Sequence, residues 1–385
     1  MVKEEIEKRI YKLKSLLKEG ELGGALVFSP LNIFYLTGQW ISGCLLISEK
    51  KTLLLSKRPK SSPGLKGGYF DFRAIKSYRE IPTILEDLSL KDVALEYGAF
   101  SLSEGEDVRR LFSGFNVRPL DSLIWELRMI KSPREILYQK KAGSLLRRAL
   151  IKSLRHIKPG QREIRSSAIL EYHLRDLGHP GYTRSSHSFE LTYGYFISGK
   201  EGLFPVIFST GEGGKGLPGF PGGASFKRLK RNEPILLDFS GFYRGYYVDQ
   251  TRMASFGEVK EAEPFYKASL EILLTLEARA LPGVPCAELF EIAFDIATKW
   301  GIRDHLMCHG EPLPFVGHGV GLQIDEPPVI SSKNTRPLEE NMVIALEPKF
   351  HVPELGVIGL EDTFWVTKRG LRRLTPFPRD WIYLD

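Results

Sequence analysis

Residues Pro234 to Arg252 read PILLDFSGFYRGYYVDQTR, and this stretch decides the architecture of the chain's second half. The apolar run Ile235-Leu236-Leu237 leads into Asp238. Gly241 and Gly245 supply turn signals, and a second run of aromatic and β-branched residues carries Asp249. Two such runs around a glycine-containing turn predict a β-hairpin. A turn centred on Tyr243 and Arg244 sets Asp238 opposite Asp249. Like charges facing each other on adjacent strands repel, and burying them unpaired is prohibitive. A shared metal ion is the simplest compensation; pairing with Arg or Lys, or protonation, would also serve.

The same arrangement recurs downstream. MVIALE, Met342 to Glu347, is an apolar strand ending in a carboxylate, and VIGLEDTFWVT, Val357 to Thr367, carries Glu361. The segment between contains Pro353 and Gly356, and a turn centred on Glu354 sets Glu347 opposite Glu361. His318 lies in VGHGVGL, Val316 to Leu322, where glycines on both sides leave its imidazole unobstructed. The four carboxylates and one neutral imidazole sum to a charge of −4, which two divalent ions balance. Oxygen donors with one nitrogen suit manganese first, with cobalt, zinc or iron as alternatives, rather than a thiolate-type zinc site.

Composition narrows the remaining possibilities. A chain of 385 residues with 42% hydrophobic content is long enough for two domains with real cores. The three cysteines Cys44, Cys286 and Cys308 have no paired spacing, which argues against a disulfide framework and fits a reducing cytoplasm. There is no membrane-length apolar run and no signal-peptide pattern. The net charge of +7 raises nucleic acid as a partner. The basic stretches around Lys227 to Arg231 and Lys368 to Arg373 have no nucleic-acid motif beside them, so they read as solvated surface.

The first third alternates helix and strand signals. The opening twenty residues read as an amphipathic helix, Gly24 to Phe28 as a buried strand, and Cys44 to Ser48 with Thr52 to Ser56 as a hairpin. Ser103 to Phe112 reads as a helix capped by Ser101 or Ser103. Ser132 before Pro133 ends one element, and Glu135 to His156 forms a long amphipathic helix. The domain boundary is placed near residue 128, giving domains 1–127 and 128–385.

The ordered set Asp238, Asp249, His318, Glu347 and Glu361 resembles the metal-ligand set of the Xaa-Pro peptidases, prolidase and aminopeptidase P, with creatinase and methionine aminopeptidase as fold relatives. The local signatures match too: Gly245 to Arg252, Gly317 to Leu322, Leu346-Glu347-Pro348 and Leu360 to Thr363. Asn32 to Gly38 resembles the signature of that family's N-terminal domain, and Leu127 to Lys131 its interdomain segment. The resemblance implies an α/β fold: a creatinase-like N-terminal domain, then a pseudo-twofold "pita-bread" catalytic domain, assembled as a homodimer that Trp40 could help to form. It further implies two divalent ions bridging a hydroxide that attacks a substrate carbonyl, with Glu347 shuttling the proton. The expected function is an Xaa-Pro-type metallopeptidase, aminopeptidase or dipeptidase, acting on a small peptide. The alternatives are a hydrolase of another small C–N bond, on an amide substrate, and a catalytically weak binding homologue.

Four places depart from the family pattern. The histidine some seventeen residues before the first aspartate is missing, its place falling at Phe220-Pro221-Gly222. The helper histidine seven residues after His318 is Asp325, which is therefore expected near the reacting atoms. The arginine two places before the last glutamate is Gly359. A further histidine seen in some aminopeptidases is Pro314. The glycine-rich loop Ser209 to Gly223 lacks the residues of a phosphate-binding loop and is expected to shape the substrate pocket.

Overall fold

The computed structural model describes residues 3–61, 69–187, 191–206, 211–308 and 312–385. The chain divides into two compact units, Met1–Arg128 and Met129–Asp385.

In the first unit, α1 (Lys3–Glu19) buries Ile6, Ile10, Leu13 and Leu17, the one-sided spacing of an amphipathic helix. β1 (Gly24–Val27), α2 (Pro30–Thr37), β2 (Ser42–Ser48), β3 (Thr52–Arg58), β4 (Asp71–Ala74), α3 (Ile81–Asp87), β5 (Asp92–Leu95), α4 (Leu102–Leu111), β6 (Asn116–Pro119) and α5 (Asp121–Met129) follow. The six strands form one sheet in the order β4-β3-β2-β1-β5-β6. The predicted hairpin is β2–β3, paired antiparallel. Ser101 caps α4 in a capping box with Glu104, so the earlier of the two predicted caps is the one used.

The second unit opens with α6 (Pro133–Leu154), which starts two residues before the predicted helix because Ser132 and Glu135 form a capping box around Pro133. Then come α7 (Glu163–Asp176), β7 (Gly194–Ser198), β8 (Ile235–Tyr243), β9 (Tyr246–Ser255), α8 (Glu263–Arg279) and α9 (Cys286–Lys299). β10 (Phe315–Gly319), β11 (Glu326–Ser331), β12 (Val343–Leu346), β13 (Lys349–Val352), β14 (Gly356–Gly359), β15 (Asp362–Thr367), β16 (Gly370–Arg373) and β17 (Ile382–Tyr383) complete it. One half is the sheet β17-β9-β8-β7 packed against α6 and α7; the other is β11-β10-β12-β15-β16 with α8 and α9. These are the two halves that the resemblance implies, with the β13–β14 hairpin as a separate ladder.

β12 shows why these strands read as continuous apolar runs. Val343 and Ala345 point into the core beneath α6 and α7, while Ile344 and Leu346 point into the core beneath α8 and α9. A strand covered on both faces has no polar side to alternate with. Among the described residues no helix is long and apolar enough to cross a membrane.

α6 lies very close to the sheet. A Cβ on Gly143 would meet the Leu374 carbonyl oxygen at 2.0 Å, and one on Gly241 would meet the Ala142 carbonyl oxygen at 2.7 Å. Helix propensity alone makes Gly143→Ala a gain of roughly 1 kcal/mol. The backbone collision, which no rotamer can relieve, outweighs it. Urea denaturation of Gly143→Ala should show a net loss on the order of 1–3 kcal/mol; a gain would show that the helix can lift off the sheet.

Candidate metal centre

The β8–β9 hairpin turns at Arg244 and Gly245, both at positive φ (50° and 101°). This two-residue turn suits strand twist and calls for glycine at its second position. It sits one residue later than the turn predicted from sequence, so the register differs. Asp238 pairs with Thr251 and Asp249 with Ser240. Asp238 and Asp249 are diagonal neighbours on one face rather than directly opposed.

The second hairpin keeps its predicted register. Leu346 pairs with Asp362 at the end of one ladder and Lys349 with Gly359 at the start of the next. Glu347 and Glu361 fall opposite each other between the ladders. Ser269 of α8 holds the junction: its hydroxyl donates to the Pro348 carbonyl oxygen (2.7 Å) and accepts from the Leu360 amide (2.9 Å). The two hairpins join through backbone bonds exchanged between Thr251 and Glu361, at 3.3 and 3.2 Å. Asp238, Thr251, Glu361 and Glu347 thus lie in one row across four chain segments.

β10 brings His318 to this row. Its Nε2 lies 3.4 Å from Glu347 Oε1 and 3.9 Å from Glu361 Oε1. Donor atoms of Asp249, His318 and Glu361 all lie within 4.8 Å of one another, the cluster among the described residues that could hold a metal ion. Glu361 Oε1 is buried and has no hydrogen-bond partner. An orphaned carboxylate oxygen facing an imidazole and a second carboxylate fits a divalent cation. The electrostatics agree. Burial and the neighbouring carboxylates lift Glu361 to about 8, and burial with Glu361 raises Asp249 well above the usual range. Burial opposes a charge on His318, yet Glu347 holds it up at about 9. Each shift reports uncompensated negative charge.

Two further groups, not singled out in the sequence, share the site. Lys349 is 1% exposed, and its Nζ donates to Glu212 Oε2 (2.5 Å), Asp238 Oδ2 (2.7 Å) and Glu347 Oε2 (3.0 Å). Glu361 Oε2 is 3.2 Å from the same nitrogen. Burial disfavours the ammonium and would lift the Glu347 carboxyl, but their proximity wins: Lys349 is held charged and Glu347 is pulled down to about 2. Glu212 comes from the glycine-rich loop, of which Ser209 and Thr210 lie outside the described residues.

These side chains line a cavity of about 490 Å³, within the range of small-molecule sites. Asp325 and His187 lie on its wall. Asp325 accepts from the Ser185 hydroxyl and the Ser186 amide, both at 2.6 Å, and pairs with His187 Nδ1 at 3.0 Å. An imidazole therefore reaches the pocket from a segment that carries no motif.

A buried charge cluster braces the row from behind. Arg252 is fully buried; it donates to the Glu361 carbonyl oxygen (2.7 Å) and to Asp362 Oδ1 (2.7 Å). Arg379 also bonds Asp362, at 2.6 Å, while Arg373 stands off at 3.5 Å and is partly exposed. Asp362→Ala leaves Arg252 buried without its counter-charge and should cost on the order of 3–5 kcal/mol in chemical denaturation. Arg373→Ala should cost under about 1 kcal/mol. Equal effects would contradict this account of the brace.

Comparison with known proteins places the whole arrangement. Residues 138–368 match the model of metallopeptidase family M24, and residues 9–130 match the creatinase/prolidase N-terminal domain. The chain is 27% identical over 383 residues to an Xaa-Pro dipeptidase of Pyrococcus furiosus, covering 98% of this chain and all of that one. It superposes on an X-Pro aminopeptidase of Thermotoga maritima with a TM-score of 0.81 at 25% identity, covering 97% and 99% of the two chains. An Xaa-Pro dipeptidase from Bacillus anthracis shares the fold, with a TM-score of 0.84 at 24% identity, over 98% and 100%. With its catalytic unit matched through every element that carries the carboxylates and His318, the chain belongs to metallopeptidase family M24, hydrolases that use divalent metal ions.

Proposed function

We propose that this chain cleaves small peptides at the bond preceding proline, with dipeptides as the first substrate class. The observation that carries the reading is the cluster of Asp249, His318 and Glu361 donor atoms at the cavity's floor. The full-length similarity to Xaa-Pro dipeptidases supports the substrate class. A divalent ion in that cluster supplies the charge that acidifies a water and polarises a carbonyl.

The chain's own groups do the rest. Glu347 is held ionised by the Lys349 ammonium and faces His318, the state a proton acceptor needs. We assign it the proton transfer to the leaving nitrogen. Asp325 is anchored by the Ser185 hydroxyl and the Ser186 amide and pairs with His187. His187 beside it is the imidazole available on that wall. We assign His187 the substrate-binding task that a helper histidine performs elsewhere in the family. For assembly, Trp40 is half exposed and stacked on Phe34 at 4.8 Å, which supports a role in a homodimer contact.

The test is a panel of Xaa-Pro dipeptides, Xaa-Pro tripeptides and small amides, assayed on chelator-stripped protein before and after manganese or cobalt is returned. Hydrolysis should appear only with metal and should be fastest on the dipeptides. Asp249→Ala should lose bound metal and fall at least about 100-fold in rate. His187→Ala should raise KM or lower kcat on the same substrates while leaving bound metal unchanged. Stripped protein that works as well as loaded protein, or amides preferred over every Xaa-Pro peptide, would overturn the reading.

A further inference from the structure

The sequence offers two divalent ions to four carboxylates and one imidazole, but the structure puts a cation of its own among them. Lys349 Nζ stands between Asp238, Glu347, Glu361 and Glu212, bonded or ion-paired to one oxygen of each. An ammonium has three N–H groups, and three of those four oxygens accept them. A divalent ion bound through Asp238 Oδ2 and Glu361 Oε2 would lie about 2.0–2.2 Å from each and would take the place of the ammonium.

The surroundings are cut to this lysine. Lys349 faces Gly359 across the β13–β14 ladder. A Cβ at 359 would meet Lys349 Cα, Lys349 Cγ and the Pro348 carbonyl oxygen, each at 2.8 Å, so the close approach of the two backbones itself calls for glycine at the position that resembles an arginine site elsewhere. A Cβ at Gly211 would meet Lys349 Cδ at 2.7 Å. The next residue, Glu212, is buried and accepts from Lys349 Nζ at 2.5 Å. Three positions on two segments, 211 with 212 and 359, thus pack against Lys349, and a Cβ at 211 would also meet Glu347 Oε2 at 2.5 Å. The centre left over, Asp249, His318 and Glu361, is the one cluster of donors close enough for an ion among the described residues, and it contains no atom of Asp238.

We propose that the Lys349 ammonium replaces one of the two metal ions, so that the centre binds a single divalent cation between Asp249, His318 and Glu361. Asp238 then serves as a counter-ion of the lysine rather than as a metal ligand. Lys349 and Glu212 add one positive and one negative charge, so with a single divalent ion the five carboxylates and the ammonium keep a net charge of −2. The proposal rests on the metal-dependent reading above and makes it more specific.

The test is metal content, independent of activity. Stripped full-length protein is equilibrated with manganese, dialysed, and analysed by plasma mass spectrometry, with low-temperature electron paramagnetic resonance on the same samples. The wild type should hold about one ion per chain and give the six-line spectrum of isolated manganese. Lys349→Ala and the size-matched Lys349→Met should each raise the content to about two, with an exchange-coupled signal from neighbouring ions. Asp238→Asn should leave the single wild-type ion in place, while Asp249→Ala should abolish it. About two ions in the wild type would overturn the inference while leaving the hydrolase reading intact. No bound ion in the wild type would overturn both. If the Lys349 variants fail to fold, the wild-type count and spectrum decide alone.

Discussion

One buried ammonium organises the centre. Taking Lys349 out of water costs several kcal/mol, and only direct charge-assisted hydrogen bonds can offset that. Glu212, Asp238 and Glu347 provide them, and Glu361 adds a fourth charge at 3.2 Å. The dependence is mutual, because the same carboxylates, packed this tightly, would expel one another without a cation. Their placement accordingly extends outward through the lysine. Gly211 and Gly359 open room for it, the glycine-rich loop delivers Glu212 to it, and Ser269 fixes the kink between Glu347 and Lys349.

Behind this cluster the family fold is retained with little change. Thr251 and Thr363 tie the ligand strands together: the Thr251 hydroxyl donates to Glu361 Oε2, and the Thr363 hydroxyl bonds the Asp249 backbone. Arg252 and Asp362 lock the backbone at Glu361 from the opposite side. Such a frame positions ligands to within fractions of an ångström, which an open metal site requires. The reaction class follows from that frame. The departures lie in what stands inside it: a lysine, an extra glutamate, and an Asp325–His187 pair on the cavity wall.

Much of this was legible in the sequence, for physical reasons that can be named. Strands buried on both faces read as apolar runs, which marks out β8 with Asp238 inside it and β12 with Glu347 at its end. The second hairpin's register followed from Pro353 and Gly356. The first slipped because the turn needs positive φ at both central residues, and Arg244-Gly245 meets that need better than Tyr243-Arg244. Lys349 carries a signal of its own: in the register centred on Glu354 it faces Gly359, the position that lacks the family's arginine. A cation missing from one strand and present directly across the ladder is a readable pair. Glu212 and His187 were not readable. Each reaches the site through a loop of no periodicity, from 137 residues before Lys349 in one case and 138 before Asp325 in the other.

Where Lys349 Nζ sits when metal is bound decides between one ion and two. Anomalous diffraction at the manganese edge, on crystals of the metal-loaded wild type, locates both directly. The account predicts one anomalous peak, between Asp249, His318 and Glu361, with Lys349 Nζ still within hydrogen-bonding distance of Asp238 and Glu212. Two peaks sharing Asp238, with Lys349 turned out of the site, would contradict it.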